Sequence, residues 1–403
     1  MGSSCEANDV PQGPNEPPPE ARRERTGGTT AGVRFELLHQ DAHSAARRGR
    51  LHTRHGTVEL PAFMPVGTQG SVKGVPVEWL RRCGVEMVLA NTYHLALRPG
   101  ETRVAQLGGL QRFTAWHGPV LTDSGGFQVY SLSAQTTLSD QGVIFRSHID
   151  GRRIEWTPER AMAIQAALGS DIAMVLDEVV RLPAPEADVD RAMRRTVAWA
   201  ARCRDAPAPP HQVRFAIVQG GLDLAKRRWC TERLVELDFP GYAIGGLSVG
   251  EPPETMHQIV HASAPWLPAD RPRYLMGVGR PEDLLQAIEA GIDMFDCVLP
   301  TRNGRNAMAF TDDGPLRLRN QSFADDPRPL SETDRSPASP YSRAFIRHLF
   351  QAREMLGPML VSAHNIAYYQ RLMREAREAI EADRFSEFCA AKRRRWRAAC
   401  GRA

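Results

Sequence analysis

Eight short apolar runs, separated by stretches of helical character, occupy residues 61 to 300 of this sequence. They lie at 61–67 (PAFMPVG), 85–92 (VEMVLANT), 118–124 (GPVLTDS), 171–178 (DIAMVLDE), 214–220 (RFAIVQG), 241–247 (GYAIGGL), 272–279 (PRYLMGVG) and 294–300 (MFDCVLP). Each has the length and the Val, Ile, Leu or Phe content of a buried strand. The intervening stretches carry helix start and stop signals. Thr157 and Pro158 read as N-cap and first helical residue, and Gly169 as a C-terminal stop. Pro281 opens a further helix that Gly291 closes, and helical patterns fill 188–204, 223–237 and 253–264. Eight buried strands alternating with helices over about 240 residues is the count of an α/β chain closed into a (β/α)8 barrel. An open doubly wound sheet would need fewer strands and usually a glycine-rich nucleotide turn, and no glycine cluster reads GxGxxG or GxxxxGKS/T. The stretch 134–156 breaks the rhythm. Its turn candidates, Ser139-Asp140-Gln141-Gly142 and Asp150-Gly151, predict a β-hairpin inserted after the third strand.

The rest of the composition narrows the class. With 42% hydrophobic and 24% charged residues among 403, the chain can bury a large core, which excludes a disordered protein or a disulfide-stapled miniprotein. No apolar run approaches the roughly 18 residues of a membrane span, and no secretory leader is apparent. The seven cysteines are scattered and form no CxxC pair, as in a protein of a reducing cytoplasm. A net charge of +4 identifies no nucleic-acid partner by itself. Residues 1–33, without Leu, Ile or aromatic side chains and rich in Pro, read as a disordered leader. The barrel is expected over 34–310. A stretch dominated by Asp, Pro, Ser and Arg follows, and 386–403 form a basic tail containing Lys392-Arg393-Arg394-Arg395. That tail reads either as a solvated helix end or as an RNA contact.

In a barrel of this kind the C-terminal strand ends form the reactive face. Strand two ends Asn91-Thr92-Tyr93-His94, strand three Asp123-Ser124-Gly125-Gly126, strand four Asp177-Glu178, strand five Gln219-Gly220-Gly221 and strand six Gly245-Gly246-Leu247. Strand eight carries Asp296 and runs into Thr301-Arg302-Asn303-Gly304-Arg305. Several carboxylates thus converge on one apolar-walled mouth, where like charges cannot all ionise freely. One protonated acid beside one ionised nucleophile is the arrangement that breaks glycosidic bonds. The glycines let backbone approach a planar ligand, Gln219 offers a donor and an acceptor, and Arg302 and Arg305 could hold phosphates. Each residue also has a plainer reading: Asp123 as a turn residue, Asp177 as a helix N-cap, Asp296 as half of a buried structural pair.

At these residues the sequence resembles the queuine/preQ1 tRNA-guanine transglycosylase family. The resemblance rests on FMPVGTQGSVKG (63–74), NTYHLALRPG (91–100), LTDSGGFQVYSL (121–132), ALGSDIAMVLDE (167–178), FAIVQGG (215–221), GYAIGGLSVGE (241–251), YLMGVG (274–279) and FDCVLPTRNGRNA (295–307), in family order. It implies a TIM barrel that exchanges the wobble guanine of tRNAs with a GUN anticodon for a 7-deazaguanine base. Asp296 then matches the nucleophile that attacks the ribose C1′, and Asp123 the acid/base residue. Ser124, Gly125 and Gly126 belong to the same motif, and Phe127 matches an aromatic position that stacks on the base. Asp177, Gln219, Gly246 and Leu247 match the base pocket. Two loops match RNA-binding segments near the anticodon: Gly277, Val278, Gly279, Arg280, Pro281, Glu282 and Asp283; and Thr301, Arg302, Asn303, Gly304 and Arg305.

The resemblance also implies a C-terminal helical subdomain, here 311–385, that in the family holds a structural zinc. Aligned on Ser342-Arg343-Ala344-Phe345, the zinc cysteines fall on Thr333, Arg335 and Ala338, and only His364 survives. A structural zinc needs four N or S ligands, so neither zinc nor any other cofactor is expected. The expected partners are the tRNA anticodon loop, the 7-deazaguanine base and a second copy in a homodimer, with no membrane. Val179 stands where many bacterial members have Cys, and Val249 where animal members have Gly. The competing readings are a non-catalytic RNA-binding partner subunit and a paralogue that inserts a deazaguanine into DNA or another RNA.

Overall fold

The computed structural model describes residues 32–128 and 136–400. The leader expected over 1–33 lies outside them except for its last two residues. The chain enters through an antiparallel sheet of β1 (Arg34–Gln40), β2 (Arg47–Thr53) and β3 (Gly56–Leu60). This sheet was not foreseen, because RFELLHQ and RRGRLHT are mostly charged or half-exposed and carry no apolar run.

Eight parallel strands then close into a barrel: β4 (Ala62–Gly67), β5 (Val88–Ala90), β6 (Val120–Thr122), β10 (Ile172–Met174), β11 (Val213–Val218), β12 (Gly241–Ile244), β13 (Arg273–Leu275) and β14 (Met294–Cys297). Each falls within or overlaps one of the eight apolar runs. Closure is made by β14 on β4, with Asp296 paired to Met64 and Cys297 to Pro65. Strands such as β10, buried along their whole length, are covered on both faces, which explains why the runs are continuous rather than alternating. The helix Pro158–Leu168 has the foreseen caps: Thr157 accepts a hydrogen bond from the Arg160 N–H, and Gly169 ends it at φ +76°.

Between β6 and β10 the insert is larger than a hairpin. It has three antiparallel strands, β7 (Thr136–Ser139), β8 (Gly142–Arg146) and β9 (Arg153–Trp156). Both turn candidates are real turns, so the sequence marked two reversals, and two reversals require three strands. The sheet is clamped from outside: Trp199 Nε1 donates to Asp140 O at 2.8 Å, and Arg195 bridges Asp140 and Glu178. From inside, Trp156 Nε1 donates to Ser124 O at 3.2 Å.

After the barrel come the helices Arg343–Gln351, Leu356–Glu381 and Phe385–Cys400. The long middle helix lies against the helix Leu299–Arg305 so closely that a Cβ on Gly304 would sit 2.6 Å from Ser362 Cα. The boundary expected at 386 falls inside the last helix, which docks through Cys389 and Trp396. Three of its basic residues meet acids: Lys392 bridges Asp312 and Glu375, Arg393 reaches Glu289, and Arg395 reaches Asp313. Among the described residues no helix is long and apolar enough to cross a membrane.

Candidate active site

The C-terminal strand ends of the barrel surround a cleft of about 510 Å³. Its lining includes Asp123, Ser124, Phe127, Asp177, Gly246, Leu247, Gly277, Arg280, Asp296 and Arg302. Of the four carboxylates in the lining, Asp123, Asp177 and Asp296 each come from a different strand end, as the alternation of strands and polar run-offs predicted, and Asp283 comes from the helix after β13.

Asp296 lies in the last turn of β14. Its Oδ1 accepts the Tyr274 hydroxyl at 2.5 Å and the Gly277 N–H at 2.8 Å. Among the described residues no hydrogen bond falls on Oδ2. Burial raises the Asp296 pKa, while the two donors oppose the rise. Tyr274, buried beside two carboxylates, is held well above the ordinary phenol value and stays a donor.

Asp123 follows β6. Its Oδ1 accepts the Thr92 N–H at 2.7 Å, and its Oδ2 accepts Gln128 Nε2 at 2.9 Å and Asn91 Nδ2. Burial pushes its pKa up to about 6 against these three donors, and the nearby Asp296 adds to the rise. Asp177 follows β10. It accepts Ser124 Oγ at 3.1 Å and Gln219 Nε2 at 2.8 Å, and burial likewise pushes it up to about 6. None of the three carboxylates has a cationic side chain within ion-pair distance among the described residues. For Asp123 and Asp177 that environment keeps protons negotiable near neutral pH.

The remaining site residues divide by location. Gly126 must lack a side chain, since a Cβ would lie 2.8 Å from Asp177 O. Phe127 is half exposed at the cleft rim, and Leu247 is buried in its wall. Gln219 does not line the cleft; it stands behind Asp177 and fills the space a Gly246 side chain would need. Gly125, at φ +77°, packs on Trp156. Of the two loops expected at RNA, Gly277, Arg280, Glu282 and Arg302 are exposed, and Asn303 and Arg305 are half-buried. Val278, Gly279, Pro281, Asp283, Thr301 and Gly304 are buried, with Asp283 bonded to His257 Nε2 at 2.9 Å. Of these six, Gly279 and Asp283 line the cleft. Sequence reading missed three supports: Asn91 and Thr92 beneath Asp123, and Tyr274 beneath Asp296. Their polar atoms were visible at strand ends, but nothing in the order of residues says which neighbouring strand each reaches.

The zinc positions do not fit a metal. Thr333 Oγ1 bonds Ser331 Oγ at 3.1 Å, and Arg335 is exposed. Ala338 is buried in a second apolar core with Leu330, Ile346, Leu349, Phe350 and Leu360. His364 Nε2 lies 2.8 Å from Phe310 O. Where ligands would converge, Asp334 pairs instead with Arg371 at 2.6 Å. Among the described residues no group of three or more His, Cys, Asp or Glu side chains is placed to hold a metal ion.

A closed parallel barrel with convergent carboxylates and a glycine-rich wall at its mouth defines an enzyme class that works on glycosidic bonds beside a flat ligand. Comparison with known proteins makes the assignment specific. The family model described as Queuine tRNA-ribosyltransferase matches residues 41–398, and the chain belongs to that family. It is 52% identical over 355 residues to the queuine tRNA-ribosyltransferase of Syntrophobacter fumaroxidans, covering 88% of this chain and 95% of that protein. It is 50% identical over 369 residues to that of Rhizobium meliloti, covering 91% and 98%. The protein so named from Symbiobacterium thermophilum is 51% identical over 368 residues, covering 91% and 92%.

Proposed function

We infer that this protein is a tRNA-guanine transglycosylase, a pentosyltransferase that exchanges the wobble guanine of GUN-anticodon tRNAs for a 7-deazaguanine base. The observation that carries the reaction is the paired state of the mouth carboxylates. Asp296 is fixed through Oδ1 alone, and Asp123, pushed up to about 6, stands in the same cleft.

A purine anion is a poor leaving group, so a covalent intermediate divides one hard step into two easier ones. The extruded wobble nucleotide enters the cleft. Asp296 Oδ2 attacks C1′ as the C1′–N9 bond breaks, and protonated Asp123 supplies the proton that the departing guanine needs. The incoming base then gives its N9 proton to the Asp123 carboxylate, and its N9 displaces Asp296 from C1′. Two inversions give net retention, and one glycosidic bond replaces another with no outside energy source. Asp177, backed by Gln219, with Gly246 and Leu247, would read the base, and Phe127 at the rim would stack on it. Arg280 and Arg302, exposed at the cleft, would meet phosphates.

The finer assignments follow the same geometry. Asp177, held from behind by Gln219, and Gly246 read the edge common to guanine, preQ1 and queuine, so choice falls to the space around the 7-substituent. Val249 lines the cleft where its methyls reduce that space, which favours preQ1 over the bulkier queuine. Val179, also in the lining, argues weakly for queuine. We assign the protein to the cytoplasm, where its tRNA substrate is made. We propose that the protein forms a homodimer, which sedimentation of the full-length protein would test. The C-terminal subdomain is held without zinc, by the second apolar core and the Asp334–Arg371 pair.

Incorporation of labelled guanine into purified tRNA and into DNA tests the function. Incorporation into tRNA alone is the expected result; label in DNA, or in neither, overturns it. Competition by preQ1 and by queuine in the same assay ranks the bases.

A further inference from the structure

We propose that Arg227 is the positioning residue of the base-recognition wall, tying the loops after β11 and β12 into one frame that sets how tightly the cleft holds the free base. The proposal rests on the reading that Asp177, backed by Gln219, and Gly246 receive that base.

Arg227 lies in the helix Leu224–Glu236 and is wholly buried. An interior guanidinium is costly unless its hydrogen bonds are met. Among the described residues no carboxylate comes within ion-pair distance of it. Its acceptors are backbone carbonyls on two separate loops: Nε donates to Gly221 O at 2.7 Å, and Nη2 donates to Gly245 O at 3.0 Å and to Gly246 O at 3.5 Å. Its Nη1 has no hydrogen-bond partner. Burial pushes its pKa down to about 10, so it remains charged at neutral pH.

The loops are built around this side chain. Gly220 must be glycine, because a Cβ there would lie 2.7 Å from Arg227 N. Gly246, at φ +63°, must be glycine, because Gln219 Oε1 occupies the space its side chain would take. Gln219 in turn donates to Asp177 at 2.8 Å. A chain of contacts therefore runs from Arg227 through Gly246 and Gln219 to the Asp177 carboxylate. Glu251, whose charge favours the guanidinium, receives the Val249 N–H at 3.1 Å and the Ser248 N–H. Arg227 itself does not line the cleft. A lysine cannot bridge two loops as a planar fork does, because its ammonium is a single point.

The test compares the KM for free guanine with the KM for tRNA in the full-length protein. Arg227→Met should raise the KM for guanine about tenfold or more, and Arg227→Lys about threefold. The KM for tRNA and the trapping of a covalent tRNA adduct without base should change by less than about twofold. Should Arg227→Met fail to fold, Arg227→Lys decides alone. Equal rises in both KM values, or no rise in either, overturn the proposal. Asp177→Asn serves as the control for the underlying reading. If it leaves the KM for guanine unchanged, the base-wall assignment fails; if it raises that KM while both Arg227 variants do not, only the role of Arg227 fails.

Discussion

The barrel buries carboxylates at both ends and treats them oppositely. At the N-terminal end, Asp293, just before β14, is bonded by Arg47 Nε at 3.1 Å, by Arg47 Nη2 and by the Arg273 N–H at 2.8 Å. Asp171, just before β10, is held by His55 Nδ1 at 2.8 Å and the Val120 N–H at 2.9 Å. At the other end, Asp123, Asp177 and Asp296 meet only neutral donors: amides, hydroxyls and backbone N–H groups. Arg47 on Asp293 makes a buried ion pair and His55 on Asp171 a largely buried hydrogen bond, and both fasten distant segments to the foot of the barrel. Asp123 and Asp177, buried among neutral donors and pushed up to about 6, can carry or release a proton near neutral pH, which acid and base chemistry requires. One architecture thus yields structural acids where strands begin and reactive ones where they end.

The largest effect that would break this contrast is at Asp296. Asp296→Asn keeps the shape of the side chain but removes the attacking oxygen anion. Base exchange should fall by about 10⁴-fold or more, and no denaturant-stable tRNA adduct should form, as gel analysis of the quenched mixture would show. A surviving adduct would place the nucleophile elsewhere.

The matching change at the other end is Asp293→Ala, which leaves the buried Arg47 without its carboxylate. Breaking one partner of such a pair costs about 3–5 kcal/mol. Denaturant unfolding should show that loss, while the folded fraction keeps its exchange rate per active site. A fully folded but inactive Asp293→Ala would mean that the two ends are not separate in function.

Asp177→Asn sharpens the comparison through pH. The folded pKa of Asp177 is about 6, above its ordinary 3.8. Its neutral form therefore favours the fold: that contribution is complete below about 4 and is lost as pH rises through about 6. The asparagine variant should be more stable than the parent at pH 8 by about 3 kcal/mol, on a scale of roughly 1.4 kcal/mol per pKa unit. The difference should vanish below pH 4, and the free-base KM should rise. Melting temperatures of both proteins across that range would check it, and a variant less stable at pH 8 would contradict the neutral-donor picture.

The smallest expected effect concerns the wall rather than the acids. Val249→Gly should shift relative use of queuine over preQ1 by a few-fold, about the worth of one or two methyl groups in a packed pocket. No change in the competition ratio would mean that Val249 does not close the pocket.

Much of this was legible in the chain. The eight apolar runs, the caps at Thr157 and Gly169, and the polar residues placed just past each run predicted the barrel and put Asp123, Asp177 and Asp296 at one mouth. These are local signals: strand length, helix caps and the identity of the residue after a strand depend on short stretches of sequence. The β1–β3 sheet was not legible, because its strands are polar on their exposed face and its pairing is with itself. The third strand of the insert was missed because RIEW is short, although its turn at Asp150-Gly151 was marked. The RNA loops were legible as segments but not residue by residue. Thr301 and Gly304 face the long helix Leu356–Glu381, and only that packing shows it.

The sequence by itself determined the α/β barrel, the order of its strands and the residue types that line its mouth, since periodicity and turn chemistry act over a few residues. It also determined that Thr333, Arg335 and Ala338 cannot ligate zinc, since ligand chemistry is a property of the residue alone. Tertiary structure decided which acid becomes a fastener and which stays reactive, because that depends on whether an arginine or an amide arrives from a distant strand. It decided that Arg371 and an apolar core stand where the zinc site would be, and that the basic tail is matched by acids. It decided, too, that Arg227, with no carboxylate in ion-pair distance among the described residues, joins two glycine loops behind Asp177. Partners contributed from more than a hundred residues away, as Arg47 is for Asp293 and His55 for Asp171, become definite only when the barrel closes.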